Sequence, residues 1–192
     1  MIRKILYKIR KLLYIIAGII IIAAALGLSY VTYMHFWGNF RVVTSGQFYR
    51  SGQMREELLT YYLKKYKIKS VVNLEGSNPN EVWYQGEIKA CKQLGVKHYN
   101  FALSSSKFID IKETKTLISL LENAPKPILA HCNGGADRSG FTSAIWDYAV
   151  KGENPDEAVK QLSWRYFHLP YLGNPTVVMN KSYWNFVDYK KK

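Results

Sequence analysis

The segment Ile128-Leu129-Ala130-His131-Cys132-Asn133-Gly134-Gly135-Ala136-Asp137-Arg138-Ser139-Gly140 decides how this 192-residue chain is read. Three apolar residues run into His131 and Cys132, a loop with two glycines follows, and an amphipathic segment, Phe141 to Val150, begins just past Arg138. The pattern predicts a buried strand, a tight loop and a helix. A helix N-terminus just beyond a cysteine favours negative charge on the sulfur and a bound anion beside it. Arg138 adds a planar fork that can grip two phosphate oxygens at once. Together these residues point to nucleophilic attack on a phosphate ester.

Upstream, Asn39 to Gln53 reads as short strands joined at Ser45-Gly46, and Arg55 to Tyr66 as a helix with Leu58, Leu59, Tyr62 and Leu63 on one face. Ser70 to Leu74 is a buried strand. The segment with Val82 and Cys91 is a helix expected to stop at Gly95, and His98 to Leu103 is a further strand. Asp110-Ile111-Lys112-Glu113 has capping-box spacing ahead of the apolar face Leu117, Ile118, Leu120 and Leu121, which makes Asp110 a helix cap. Downstream, Asn154-Pro155-Asp156-Glu157 opens a helix expected to run through Ala158, Leu162 and Tyr166 and to break near Pro170. Alternating short strands and helices predict an α/β domain with a central, mostly parallel sheet flanked by helices.

The pattern His-Cys-x5-Arg-Ser-Gly resembles the active-site loop of the cysteine-based protein tyrosine phosphatase superfamily. Tyr49-Arg50-Ser51-Gly52-Gln53, Val71-Val72-Asn73-Leu74 and Gln161 to Tyr166 also resemble its bacterial dual-specificity group, so the likeness covers about residues 39 to 172. The residue types suggest the roles. Cys132 is the nucleophile that forms a phosphocysteine intermediate. The amides of Asn133, Gly134, Gly135 and Ala136, continuing to Arg138, form a nest for phosphate oxygens, with the glycines permitting a tight path. Arg138 holds the same oxygens into the transition state. The resemblance implies that Ser139 stabilises the leaving thiolate in the second step and that His131 orients the loop and the thiolate. A satisfied histidine at a strand end is the bland reading of His131. The chemistry requires no metal or organic cofactor.

The departing oxygen needs a proton. Many members of the superfamily carry an aspartate on a movable loop after the strand that here is His98 to Leu103, but this chain has Ser104-Ser105-Ser106 there. Asp137, inside the phosphate loop, is the preferred general acid, Asp110 the distant second; the structural alternative for Asp137 is to accept backbone hydrogen bonds within the loop. Glu75 stands in Asn73-Leu74-Glu75-Gly76 where aligned relatives commonly have arginine, reversing a charge beside the expected pocket. Arg50 and Arg165 are either secondary phosphate contacts or structural partners.

Ahead of this domain, residues 12–34 carry no charge, enough for an apolar helix to cross a bilayer. Arg3, Lys4, Lys8, Arg10 and Lys11 precede it, which by the positive-inside tendency places residues 1–11 in the cytoplasm and the domain from residue 39 to 192 on the periplasmic or extracytoplasmic side. Tyr30, Tyr33, Phe36 and Trp37 fit an interfacial aromatic belt. A cleaved signal peptide, with Ala23-Ala24-Ala25 as its small residues, is the main competitor; a buried core helix ranks below both.

The formal net charge is +13, and a basic chain prefers anionic partners. Nucleic acid ranks last, because the lysines are scattered and accompany no nucleic-acid module. Two cysteines, Cys91 and Cys132, make neither a disulfide framework nor a metal-ligand spacing. The expectation is a membrane-anchored phosphatase acting on a phosphorylated protein or a phospholipid head group. Its rivals are an inactive phosphate-binding module and a rhodanese-like sulfurtransferase.

Overall fold

The computed structural model describes residues 2–171 and 173–192. Met1, at the head of the basic segment, and Leu172, within the expected catalytic domain, lie outside the described residues. The chain divides into two units, Met1–Phe36 and Trp37–Lys192. The first is one helix, α1 (Ile2–Phe36), whose stretch Leu6–Met34 is long and apolar enough to span a membrane. Ile19 to Ile22 of this stretch are exposed.

The second unit is built on a five-stranded sheet: β1 (Arg41–Thr44), β2 (Phe48–Ser51), β3 (Ser70–Asn73), β4 (Lys97–Asn100) and β5 (Ile128–His131). The strand order is β1-β2-β5-β3-β4. β2, β5, β3 and β4 run parallel, and only β1, the partner of β2 in a hairpin, is antiparallel. Both faces are covered by helices, which explains why β2, β3 and β5 are buried at every position instead of alternating.

One face packs α2 (Glu56–Lys65) and α3 (Val82–Leu94) on Tyr49, Val71 and Leu129. The other packs α4 (Ile111–Asn123), α5 (Asp137–Ile145) and α7 (Val178–Lys190) on Phe48, Val72, Ile128 and Ala130. Phe48 stacks on Trp146 with centroids 4.8 Å apart, and each such fully buried aromatic contributes on the order of 2–3 kcal/mol of hydrophobic stabilisation. Cys91 belongs to the first cluster and Cys132 to the second, so the sheet separates the two thiols. Burial, with Glu87 nearby, pushes the Cys91 thiol up to about 12.

Most expected elements are present within a few residues. Asp110 caps α4, accepting a hydrogen bond from the Glu113 amide at 2.7 Å. Two expectations need correction. The strand after α3 is shorter than His98 to Leu103, ending at Asn100. The helix after Asn154 does not reach Tyr166: α6 is only Pro155–Ala158, followed by single 3-10 turns at Val159–Gln161 and Trp164–Tyr166. The reason is tertiary as well as local, since the Gln161 carbonyl is taken by Arg50 of β2 at 2.7 Å and Ser163 is extended. A final helix, α7, lies beyond the last element read from the sequence.

Candidate active site

The period-two alternation of β5 sends consecutive residues to opposite faces. Ile128, Ala130 and then Cys132 face α5, whereas Leu129 and His131 face α3. Cys132 is therefore delivered at the end of the sheet against the start of α5, buried to 2 % exposure. Its sulfur lies 3.6 Å from Ser139 Oγ, in the first turn of α5. Residues 133–136 form the loop between them.

The loop is held from outside by its carbonyls. Gln53 N donates to the Asn133 oxygen (2.9 Å), and Asn39 Nδ2 to those of Gly134 (3.1 Å) and Gly135 (3.2 Å). Arg50 Nη2 donates to the oxygens of Gly135 (3.0 Å) and Ala136 (2.9 Å). Successive carbonyls turned outward leave the loop amides to the opposite side, the arrangement of an anion nest. The two glycines differ. Gly135 has φ +69° and lies so close to the Ser51–Gly52 peptide that a Cβ would fall 2.4 Å from Gly52 N, whereas a Cβ on Gly134 would meet nothing within 4 Å. Only Gly135 is required by the tight path.

Arg50 is fully buried, its guanidinium 4.4 Å from the Tyr166 ring centroid and bonded to Gln161 as well as to the loop. Burial lowers its pKa to about 10, against the favourable charges of Cys132 and Tyr166. It is thus a structural clamp under the loop and not a second phosphate contact; Arg165 is exposed. Asn39, unforeseen from sequence, ties the loop to the Tyr166 carbonyl.

On the other face, His131 Nε2 is 2.7 Å from Glu87 Oε2, an ion-pair distance off the line of a hydrogen bond. Glu87 Oε1 meets His98 Nε2 at 2.6 Å. Burial alone would raise Glu87, but the charges and contacts of His131 and His98 outweigh it and hold the carboxyl at about 2. A glutamate on the buried stripe Tyr84, Glu87, Ala90 and Cys91 is the sequence signal that would have found this partner.

Arg138 reaches toward the β3–α3 turn. Its Nη1 is 3.5 Å from the Leu103 carbonyl, and its Nη2 is 3.7 Å from Glu75 Oε2. Glu75 is set there by Asn73, whose Oδ1 accepts from the Glu75 amide at 2.8 Å. The charge reversal noted in the sequence therefore sits directly beside Arg138.

Asp137, the first residue of α5, meets a side chain and not the loop amides of its structural reading. Its Oδ1 is 2.7 Å from His168 Nδ1, and His168 Nε2 is 2.7 Å from Asn180 Oδ1 on α7. Neither His168 nor Asn180 carries a local sequence signal. Asp110 is committed to the α4 cap, and Ser104 and Ser106 bond to each other. Among the described residues, no group of three or more His, Cys, Asp or Glu is placed to hold a metal ion.

No family model matches the chain. It is 36 % identical over 107 residues to inositol diphosphatase SIW14 of Saccharomyces cerevisiae, an alignment covering 53 % of this chain and 36 % of that protein. The chain thus spans about a third of the length of the curated relative it matches. The core catalytic domain of that protein, solved in complex with citrate, superposes with a TM-score of 0.58 at 21 % identity, covering 80 % of this chain and 93 % of the other. Pseudomonas aeruginosa TpbA, also solved in complex with pTyr, superposes with a TM-score of 0.58 at 16 % identity, covering 80 % and 91 %.

Proposed function

We propose that this chain, whose fold and His-Cys-x5-Arg loop resemble those of the cysteine-based protein tyrosine phosphatase superfamily, is a membrane-anchored phosphatase that hydrolyses a phosphate monoester through a phosphocysteine intermediate. One observation carries the reading: Cys132 is buried at the end of β5 with its sulfur 3.6 Å from Ser139 Oγ, facing a loop whose carbonyls are tied outward.

In the first step the Cys132 thiolate attacks phosphorus, the S–P bond forms and the P–O bond breaks. The amides of residues 133–138 and the Arg138 guanidinium hold the three equatorial oxygens, and such preorganised donors carry most of the rate enhancement. Asp137 gives its proton to the departing oxygen. In the second step water attacks the phosphocysteine and returns a proton to Asp137, while Ser139 donates to the leaving thiolate. His131, braced by Glu87, fixes the strand end from which Cys132 projects.

The substrates we favour are a phosphotyrosyl or other phosphoprotein and a phospholipid head group. Phosphotyrosine is the ligand in a TpbA complex, and the long apolar helix with its basic N-terminal flank supports a lipid surface as the working site. An inositol pyrophosphate, suggested by the name of the yeast relative, ranks lower. Glu75 beside Arg138 repels additional phosphate groups, and a like charge at 4 Å costs up to about 4 kcal/mol at an effective dielectric of 20. The positive-inside tendency puts the catalytic unit on the extracytoplasmic side.

The test is hydrolysis by the full chain in detergent or lipid. The panel is p-nitrophenyl phosphate, a phosphotyrosyl peptide, vesicles containing phosphatidylglycerophosphate or a phosphoinositide, and an inositol pyrophosphate, each beside Cys132→Ser. Turnover abolished by Cys132→Ser supports the reading. A folded wild type that binds phosphate but hydrolyses nothing favours the binding module instead. Asp137→Asn and Asp110→Asn decide the acid, since only loss of the true acid steepens the dependence on leaving-group pKa.

A further inference from the structure

The geometry points to His168, oriented by Asn180, as the positioning residue that supplies Asp137 with its catalytic proton. This inference rests on the phosphatase reading and deepens it.

Three elements distant in sequence converge here: the first turn of α5 with Asp137, the loop after the 3-10 turn Trp164–Tyr166 with His168, and the first turn of α7 with Asn180. His168 is fully buried, and both ring nitrogens have a partner at 2.7 Å. The structure turns Asn180 Oδ1, which only accepts, toward His168 Nε2, and in that orientation the ring carries its hydrogen at Nε2. A neutral ring protonated at Nε2 presents a lone pair at Nδ1. The 2.7 Å contact to Asp137 Oδ1 then needs one more proton, carried by the carboxyl or by Nδ1. Either way, the contact is made with one proton shared between Asp137 and His168.

That is the proton required by the first step. As the P–O bond breaks, it passes from Asp137 to the leaving oxygen, and the pair is left as a carboxylate beside an imidazole still protonated at Nε2. In the second step the attacking water gives a proton back to Asp137, its oxygen bonds to phosphorus, and the S–P bond breaks to regenerate the thiolate. Every atom and proton is restored with no further reactant. The Asp137 side chain is 26 % exposed whereas His168 is sealed, so the carboxylate is the member of the pair that can reach a substrate. Arg50, beneath the loop, acts electrostatically on Asp137, and Arg138 follows Asp137 along α5.

The experiment compares wild type, His168→Asn and Asn180→Leu, as full chains in detergent, on aryl phosphates of graded leaving-group pKa and one alkyl phosphate. A positioned acid is worth about 100-fold or more, and its benefit concentrates on poor leaving groups. His168→Asn is expected to lower kcat/KM about 30-fold or more for the alkyl ester but less than about 3-fold for p-nitrophenyl phosphate, with KM little changed. Asn180→Leu should move the same ratio in the same direction, less far, and it carries the kinetic test should the buried His168→Asn fail to fold. In wild type, 15N-labelled histidine should show hydrogen at Nε2 of His168 and a downfield shared proton that disappears in Asp137→Asn. An equal loss for all leaving groups, a change confined to KM, or a His168 spectrum unaltered by Asp137→Asn overturns the assignment and leaves the phosphatase reading intact. A wild type that hydrolyses no phosphate ester overturns both.

Discussion

Glu87 Oε2 lies 2.7 Å from His131 Nε2, beneath the residue that precedes the candidate nucleophile. Both side chains are sealed, at 3 % and 2 % exposure, so the pair keeps its charge complementarity undiluted by solvent. Glu87→Gln leaves two histidines without their carboxylate, and losing one member of a buried pair costs about 3–5 kcal/mol. The carboxyl titrates near 2 in the fold against 4.5 ordinarily, so its contribution is complete above 4.5 and is lost as the pH falls toward 2. Urea unfolding of wild type and Glu87→Gln should therefore differ most above pH 4.5, and the difference should narrow on acidification. A constant difference across that window would show that packing, not charge, is what the substitution removes.

The two loop glycines separate backbone from side-chain effects. Gly135→Ala forces a Cβ into the Ser51–Gly52 peptide at positive φ, and displacing that peptide moves Arg50 and the loop carbonyls with it. We expect loss of activity by at least about 100-fold and a lower melting temperature, since misplacement of a site by 1 Å has that effect. Gly134→Ala has free space and should keep activity within about 3-fold and melt within about 0.5 kcal/mol of wild type. Parallel thermal melts and p-nitrophenyl phosphate assays check both.

Asp147 gives the opposite sign to Glu87. It is 8 % exposed and accepts from Gln161 Nε2 at 2.9 Å, yet burial pushes its carboxyl up to about 6, with the Gln161 bond pulling the other way. The folded state thus holds this proton more tightly than the unfolded chain. Stability falls as pH rises from 3.8 through about 6, and above that the full penalty is present. Asp147→Asn can accept the same hydrogen bond without the charge. It should stabilise the protein by about 1–3 kcal/mol at pH 8, with the gain vanishing below pH 4. Chemical denaturation at the two pH values measures it.

Much of this architecture was legible in local patterns because parallel strands buried on both faces read as short apolar runs, and Asp110, Gly95 and Asn154 mark helix ends by their own chemistry. The candidate loop around Cys132 was legible for the same reason, as a strand, a turn and a helix in one stretch. What supports it was not. Arg50 looks like any strand arginine until α5 and the Gln161 turn close over it; Asn39, Glu87 and His168 meet partners 31 to 127 residues away, and Asn180 joins through His168, 12 residues from it. Such partners are chosen by tertiary convergence, which leaves no periodicity. The truncated helix after Asn154 failed for a related reason, since a buried guanidinium from β2 captured a helix carbonyl.

Glu75 tests whether the pocket selects by charge. Its Oε2 is 3.7 Å from Arg138 Nη2, while Glu75 Oε1 and Arg138 Nε are buried without a hydrogen-bond partner among the described residues. The pair is therefore incompletely satisfied by its own contacts, and an incoming phosphate must compete with Glu75 for the guanidinium. Glu75→Gln removes the competitor and the repulsion together while keeping the side-chain shape. Both residues are about 15 % exposed, so screening reduces the like-charge penalty to about 1–2 kcal/mol per added phosphate group, or about tenfold in binding. The variant should bind inorganic phosphate several-fold more tightly as a competitive inhibitor. It should also raise kcat/KM for an inositol pyrophosphate about tenfold relative to p-nitrophenyl phosphate, whose kcat stays within about 3-fold. Inhibition constants and paired kcat/KM values report this. An unchanged ratio would mean that Glu75 aligns Arg138 without selecting substrates, and the low rank given to polyanionic esters would lose its physical basis.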